Sequence, residues 1–151
     1  MNWRVKLFLL LLLAPCARAD KPLELDVPLA IGHDAKGVRI RITSPESEKL
    51  QMVLDSAVAF RLDPLQLQLT RVKVETFDDA GNPEMTIDMP QSVFNLKSRI
   101  LTSKDPVTVR RPNFEMTGSQ MVFDTQTRQG KFKGPVRVLV YRAKTTENAP
   151  R

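Results

Sequence analysis

The feature that most constrains this chain is a segment from Gln91 to Val138 that repeats itself after 29 residues. Each copy contains a short apolar strand, a polar turn, and a second strand that follows a Pro and alternates apolar with polar residues. A fixed period is typical of stacked supersecondary units, none of which can bury its apolar face alone. The repeat therefore predicts a stack of β-hairpins. The matching residues are Gln91, Val93, Phe94, Asn95, Arg99, Lys104, Pro106, Val107 and Val109, and then Gln120, Val122, Phe123, Asp124, Arg128, Lys133, Pro135, Val136 and Val138.

A fainter third copy precedes these two. Residues 58–63 resemble the apolar strand with its turn, and residues 72–74 resemble the second strand. The spacing in this copy is longer and no Pro leads its second strand, so chance similarity is the alternative to a third hairpin. For the two clear copies, the alternative is a pair of unrelated hairpins that share ordinary β composition.

The N-terminal residues are typical of an export signal. Arg4 and Lys6 supply positive charge, Leu7 to Leu13 form an unbroken apolar run, and residues 17–19 fit the small-x-small cleavage pattern. The run is shorter than the roughly 20 apolar residues that span a bilayer. We predict a cleaved signal over residues 1–19, one β domain over 20–142 and a disordered tail over 143–151.

Two other fates of the N-terminal segment stay open. Residues 13–16 resemble the cleavage box of bacterial lipoproteins, which would leave Cys16 lipidated, although Pro15 fits that box poorly. Otherwise the segment stays uncleaved as a short anchor. Cys16 is the only cysteine, so a chain cleaved after Ala19 forms no intramolecular disulfide and depends on an apolar core. Export without disulfides fits a bacterial periplasm at least as well as a eukaryotic secretory route.

Charge argues against nucleic acid as a partner. Cleavage after Ala19 removes Arg4, Lys6 and Arg18 and no acid, which lowers the formal net charge from +6 to +3. The remaining bases are scattered, and no aromatic residues alternate with them as single-strand binding requires.

Alternation of apolar and polar residues predicts strands over almost the whole remaining chain. The first strand is predicted over residues 21–28 and is followed by a turn over 32–37. Residues 44–49 form the next break, either a turn or the start of a helix, and 78–83 form the clearest hairpin loop. Pro90 is predicted to end a strand. The class is all-β, with about ten short strands.

One strand pattern changes phase. Leu69 belongs to one apolar series and Val72 to the next, so the side chains on the two sides of Arg71 cannot share a face of a straight strand. This change predicts a bulge or a bend near Arg71.

Residues with the chemistry of an active site are scarce. His33 is the only histidine and lies in a Gly-flanked turn, so neither catalysis nor a zinc or copper site is expected. Asp78 and Asp79 form a pair of carboxylates, but they occupy a hairpin loop, where Asp favours the turn. No Gly-rich phosphate loop and no nucleophile elbow occurs. We therefore predict no enzyme, no metal and no cofactor.

The strands share one generously apolar face. It is either a packed core or the lining of a trough that stays open between two layers, and Met side chains are typical of adaptable apolar surfaces. Such a trough would take acyl chains, each buried methylene contributing about 0.8 kcal/mol. The face is assigned to Val58, Phe60, Ser92, Phe94, Leu96, Phe114, Met116, Met121, Phe123, Phe132, Val136, Val138 and Val140.

The repeat, with the segment from Phe114 to Met121 between its copies, resembles the OstA-like domain of the lipopolysaccharide-transport proteins, the LptC and LptA group. The most specific element is Phe-x-Met-x-Gly-x-x-Met, which precedes the last hairpin. The resemblance covers residues 38–141. The arrangement of one domain behind an N-terminal targeting segment is more similar to LptC than to LptA.

The resemblance implies a β-jellyroll, an open two-layer stack of antiparallel strands, in the periplasm and either free or attached to the inner membrane. It implies binding of lipopolysaccharide or a related lipid, and end-to-end docking with similar domains and with an inner-membrane ABC transporter. Acyl chains would lie against Phe60, Phe94, Met116, Met121, Phe123 and Val138. Edge strands that pair with partners would contain Val38, Ile40, Ile42, Val136 and Val140. Bases that would meet lipid phosphates are Arg110, Arg111, Lys131 and Lys133.

This sequence departs from the LptC pattern in one respect. LptC proteins usually keep their N-terminal apolar segment as an anchor, whereas this segment is short and precedes a good cleavage site, which leaves the choice between an LptC-like and an LptA-like role open. The alternative from another class is a structural or interaction β-sandwich of the cell envelope that binds proteins and no lipid.

Overall fold

The computed structural model describes Leu25 and residues 27–142. No helix occurs among these residues, which confirms the predicted all-β class. The predicted signal over 1–19 and the predicted tail over 143–151 lie outside the described residues. The strands are β1 (Asp34–Thr43), β2 (Leu50–Arg61), β3 (Gln66–Phe77), β4 (Pro83–Asn95), β5 (Ile100–Ser103), β6 (Val107–Arg111), β7 (Phe114–Asp124) and β8 (Gln129–Val140).

The strands form one antiparallel sheet in which strands pair with others that are close in the chain. β1 to β4 follow one another across the sheet, β5 and β6 together fill the next position, and β7 and β8 complete it. β5 and β6 act as one interrupted strand, since both lie between β4 and β7. This arrangement confirms the predicted stack of hairpins and the β-jellyroll class. The described residues form eight strands where about ten short ones were predicted, because the longer strands bend without leaving the sheet.

The 29-residue period is visible in the turn geometry. Asn95 Oδ1 accepts hydrogen bonds from the backbone N–H groups two and three residues further on, at 3.0 and 2.9 Å. Asp124 Oδ1 does the same at 2.8 and 3.2 Å. Each turn ends in an arginine with left-handed backbone, Arg99 at φ 61° and Arg128 at φ 58°. In the turn after β2, the third copy, Asp63 Oδ1 accepts one such bond at 2.7 Å.

All strands are interrupted along one row that crosses the sheet, which we call the crease. The β1–β2 register passes from the pair Lys36 and Val58 to the pair Val38 and Ser56, and so omits the residues between them. The β2–β3 and β3–β4 registers omit the next pairs in the same row. The crease consists of Gly37, Ala57, Arg71, Pro90, residues 104–106 between β5 and β6, Ser119, and Gly134 with Pro135.

The crease reverses which side chains point inward. In β3 both Leu69 and Val72 are buried, although residues three apart in an extended strand face opposite sides. Arg71 between them has left-handed backbone with φ 51°, which confirms the bend predicted there. The prediction that Pro90 ends a strand is wrong, because β4 continues through it to Asn95. Pro90 has no N–H to donate, and its place is in the row where the ladder is already interrupted.

The crease divides the sheet into two halves that bury one apolar face between them. Apart from a few side chains of the segment before β1, only this sheet is present among the described residues to cover its fully buried side chains, so the sheet folds over on itself. Half A contains residues 38–43, 50–56, 72–77, 83–89, 107–111, 114–118 and 136–140. Half B contains residues 34–36, 58–61, 66–70, 91–95, 100–103, 120–124 and 129–133.

Serine hydroxyls bond to backbone carbonyls beside the crease. The interrupted ladders leave some backbone carbonyls without a partner on the neighbouring strand. A buried carbonyl without a hydrogen bond destabilises the fold, so these serine contacts stabilise it. Ser56 Oγ lies 2.7 Å from Val58 O, Ser103 Oγ lies 2.8 Å from Gln91 O, and Ser119 Oγ lies 2.9 Å from Lys133 O.

The chain before β1 is not a strand where the structure describes it. The strand predicted over 21–28 is wrong for Leu25 and for residues 27–28, which lie in irregular backbone. The side chains of Leu25 and Val27 nevertheless pack against the core. Arg61 explains the irregular path, because its guanidinium donates to Val27 O at 2.7 Å and to Leu29 O at 3.1 Å. The turn predicted over 32–37 is shorter than expected, since Asp34 already pairs with β2.

Arg71 provides a test of the crease. Left-handed backbone costs an ordinary L-residue roughly 1–2 kcal/mol and costs Gly much less. Arg71→Gly is therefore expected to leave the free energy of unfolding unchanged or to raise it by up to about 1 kcal/mol, and Arg71→Val to lower it by about 1–2 kcal/mol. Urea unfolding of both variants measures the difference.

Lys73, two residues further along β3, is the matched control. Its backbone has no positive φ, so Val is expected to be tolerated there better than Gly. If the Val and Gly variants had the same order of unfolding free energy at position 71 as at position 73, the assignment of Arg71 to the crease would be wrong.

Candidate functional site

The outer face of half A is a ladder of opposite charges. Arg39, Asp55, Lys73 and Asp88 face one another across four neighbouring strands. Arg39 Nε donates to Asp55 Oδ1 at 2.6 Å; this hydrogen bond raises the pKa of Arg39 and lowers the pKa of Asp55. The pKa of Lys73 is raised by its hydrogen bond to Glu75. The face is solvated and charged, which excludes it as a surface for acyl chains.

Shallow hollows follow the crease on this outer side. One of about 520 Å³ is lined by Arg39, Asp55 and Arg71, and another of about 410 Å³ by Arg71, Lys73 and Asp88. Their walls carry the charged ladder, and they are open to solvent. We attribute both hollows to the bend of the sheet, because the apolar side chains lie on its other face.

The described residues contain no arrangement typical of catalysis or metal binding. Within this part of the chain, no group of three or more His, Cys, Asp or Glu side chains could hold a metal ion. Asp78 Oδ1 accepts hydrogen bonds from the N–H groups of Ala80 and Asn82, at 3.0 and 2.8 Å, and so caps the hairpin loop. Hydrogen bonds from the backbone and side chain of Asn82 lower the pKa of Asp78. His33 is exposed.

The inner face of half B is closed along β4 and β7. Phe94 and Phe123 have no exposed surface, and Met121 is 3% exposed. The sequence assigned all three to a lipid-binding groove, and the structure brings them together on the inner face. They form part of the main apolar cluster. A ligand would reach them only if the halves of the sheet moved apart.

The inner face of half A is open along β8. Val136, Val138 and Val140 are 42%, 50% and 74% exposed, and they share the inner face with Gly118, Met116 and Phe114 of β7, which they pair with directly. Their exposure shows that no other segment of residues 27–142 covers this face of the strand completely. We call Phe114, Met116, Val136, Val138 and Val140 the trough.

Two of the predicted lipid-binding residues, Met116 and Val138, lie in the trough. The assignment of Phe60 to the same face is wrong. Phe60 pairs with Gln68, whereas the buried Ala59 pairs with the buried Leu69, so Phe60 points to the outer face. The reason is the crease, which reverses the inward phase within β2.

The predicted partner strands are the two edges of the sheet. Val38, Ile40 and Ile42 of β1 point inward, and Ile42 is buried, so only the backbone of this edge is free to pair. At the other edge, Tyr141 N–H donates to Asn113 O at 2.8 Å. N–H groups alternate between the two edges of a strand, so that of Val140 points away from β7.

Sequence reasoning overlooked one close contact. A Cβ atom on Gly118 would lie 2.2 Å from Phe132 Cδ1, so the phenyl ring rests directly on the glycine backbone. Gly118 is the glycine of the Phe-x-Met-x-Gly element. That element marks Gly118 in the sequence. The 29-residue repeat, however, does not indicate that Phe132 reaches across the crease to this glycine.

A family model described as "Lipopolysaccharide-assembly, LptC-related" matches residues 38–141, which is more than half of the chain. The chain belongs to the LptC family. This match confirms the resemblance read from the sequence and assigns the protein a role in lipopolysaccharide transport. No curated protein matches the chain.

The LptC family consists of transport proteins of the cell envelope with a periplasmic domain, and its model covers most of the residues that the structure describes. The match begins in β1 at Val38 and ends just after β8 at Tyr141, so it includes the trough, all of the crease except Gly37, and most of both edge strands. In Leu25 and residues 27–142, no helix is long and apolar enough to cross a membrane.

The contact between Gly118 and Phe132 predicts a strong coupling. Gly118→Ala is expected to lower the free energy of unfolding by about 1–3 kcal/mol, because the new methyl group displaces the ring. In a Phe132→Ala background the same substitution is expected to be neutral or slightly stabilising, since Ala suits a strand better than Gly. Chemical unfolding of the four proteins measures the coupling. Equal effects of Gly118→Ala in both backgrounds would show that the ring does not rest there.

Proposed function

We propose that this LptC-family chain binds lipopolysaccharide in the periplasm and holds its acyl chains in the trough. The observation that carries the proposal is the exposed inner face of β8, on which Val136, Val138 and Val140 continue the apolar surface of Met116 and Phe114. A monomeric domain gains nothing from exposing such a row, and contiguous exposed apolar surface commonly marks a binding site.

Charge on the same strand supports a lipid with an anionic headgroup. Lys131, Lys133 and Arg137 are exposed and lie between the inward positions of β8, so they point to the other face of that strand. Phosphates of a headgroup outside the trough would meet them. Arg110 and Arg111 are less suitable than the sequence suggested, because both are already paired with carboxylates of the domain.

Handover requires no catalytic group. We propose that the two edge strands, β1 and β8, extend the sheet onto similar β-jellyroll domains and onto the periplasmic part of an ABC transporter, by β-augmentation. The trough lies along β8, so docking at that edge would align the trough with the apolar face of the next domain. On this reading the protein is a carrier and no enzyme.

Val138→Asp tests the lipid site. Val138 lies in the middle of the trough and is half-exposed, so an aspartate there is compatible with folding but places charge against the acyl chains. We expect binding of purified lipopolysaccharide to weaken at least tenfold in an equilibrium assay, since a buried Val contributes about 1.5–3 kcal/mol.

Thr102→Asp is the matched control for Val138→Asp. Thr102 lies between Val93 and Val122 on the outer face of half B, so the same charge is added away from the trough and opposite no carboxylate. Both variants should keep the thermal unfolding midpoint of the parent protein. Unchanged lipopolysaccharide affinity in a folded Val138→Asp variant would favour the envelope interaction module without a lipid ligand.

Val140→Pro tests docking at the β8 edge. The N–H of Val140 points away from β7, so proline there removes one hydrogen bond to a partner strand and none within the domain. We expect binding to a purified OstA-like domain to weaken about tenfold by sedimentation, while Val140→Thr, which keeps the N–H group, binds normally. Equal binding by both variants would place the docking surface elsewhere.

A further inference from the structure

The trough ends at the crease, where the side chain of Phe132 lies. Phe132 lies on the inner face of half B, where it pairs with Met121. Its ring does not stay over that half. It reaches across the crease and rests on the backbone of Gly118, the last inward residue of half A on β7.

Burial changes on either side of this ring. Along β8 the exposure of the inward side chains falls steadily toward the crease, from Val140 through Val138 to Val136. Beyond the crease Met121 and Phe123 of β7 are closed off, while the inward Gly130 of β8 is exposed. Phe132 is half-buried and packs against the main apolar cluster, to which none of the three trough valines belongs. The ring is therefore the boundary between the open trough and the closed core.

The space behind the ring is filled by a side chain that can move. A Cβ atom on Gly130 would lie 2.1 Å from Met121 Cε, so the end of Met121 occupies the room that a larger residue at position 130 would take. Met has a flexible, unbranched side chain that adapts to irregular apolar space. If the ring of Phe132 were absent, an acyl chain that reached the crease would meet this thioether.

We propose that Phe132 forms the end wall of the trough and sets the longest acyl chain that the domain accepts without opening its core. Gly118 is the seat of the wall, since only a residue without Cβ lets the ring lie across the crease. The proposal rests on the proposed lipid-binding function and adds a specificity-determining residue to it.

The test uses the whole chain and a series of lipid A analogues that share one headgroup and differ only in acyl length. For the parent protein, affinity should rise by about fourfold for each methylene buried and then stop rising once the chain end meets the ring. Phe132→Ala should move this limit to longer chains, while chains shorter than the limit bind within about twofold of the parent. Phe132→Leu, which leaves a smaller opening, should move the limit less and serves if Phe132→Ala does not fold.

Phe77→Ala is the matched control, because Phe77 is also half-buried but follows the inward Thr76 and so points to the outer face. A second readout uses an analogue with a photoreactive group at the acyl end, and the labelled residue is identified by mass spectrometry. Labelling should move from Met116 or Phe132 in the parent protein to Met121 or Phe123 in Phe132→Ala.

The outcomes separate this proposal from the function on which it rests. If no analogue binds the parent protein, the lipid-binding function itself fails. If the analogues bind but Phe132→Ala keeps the parent's limit of acyl length, the lipid site is supported and the role of Phe132 as end wall is wrong. The same conclusion follows if Phe132→Ala weakens the binding of all acyl lengths equally. A limit that Phe77→Ala moves as far as Phe132→Ala would also overturn it, because loosening of the domain would then explain the shift.

Discussion

Backbone hydrogen bonding across the crease is the constraint on which the rest of this structure depends. A single sheet can bury its own apolar face only by folding over, and the fold line must cross all strands at one level. Each strand therefore gives up regular pairing in the same row, where Gly37, Arg71 and Pro90 replace ordinary extended residues. Hydroxyls of Ser56, Ser103 and Ser119 bond to carbonyls beside the row. Packing on one side of the fold line thus depends on polar contacts along it.

The crease also separates two tasks within one apolar surface. Half B holds the large aromatic side chains of the core, Phe94 and Phe123, in full burial, and these contribute much of the stability that a domain without disulfides requires. Half A leaves its inner face open where β8 lies. A change to the open half, such as one at Val138, need not disturb the closed one. This separation explains how a small domain can expose apolar surface and remain folded.

Much of the fold could be predicted from the sequence, and the exceptions have one cause each. The repeat and the phase change at Arg71 are local patterns, and both correspond to real turns and a real bend. The face on which Phe60 lies was predicted wrongly. The prediction continued the two-residue alternation of β2 through the crease, where the alternation in fact reverses. The strand predicted over residues 21–28 failed where it could be compared, because Val27 and Leu29 alternate in irregular backbone held by Arg61.

The site was harder to predict than the fold. The alternation of apolar and polar residues in the sequence does not distinguish a covered side chain from an uncovered one. Phe123 and Val138 therefore look equivalent in sequence. Their exposure differs because Phe123 faces the other half of the sheet and Val138 lies on the last strand. The role of Gly118 depends on a ring that is fourteen residues away in the chain, on the other side of a bulge.

The pairing of strands that are close in sequence has a consequence for how the chain acquires its structure. Contacts between adjacent hairpins are close in sequence, which favours rapid folding, and the sheet can grow in the order in which the residues become available. A chain exported from its N-terminus would complete β1 to β4 first and add β8 last. The strand that is added last is also the one with the least cover, so the trough is completed only when the rest of the domain already supports it.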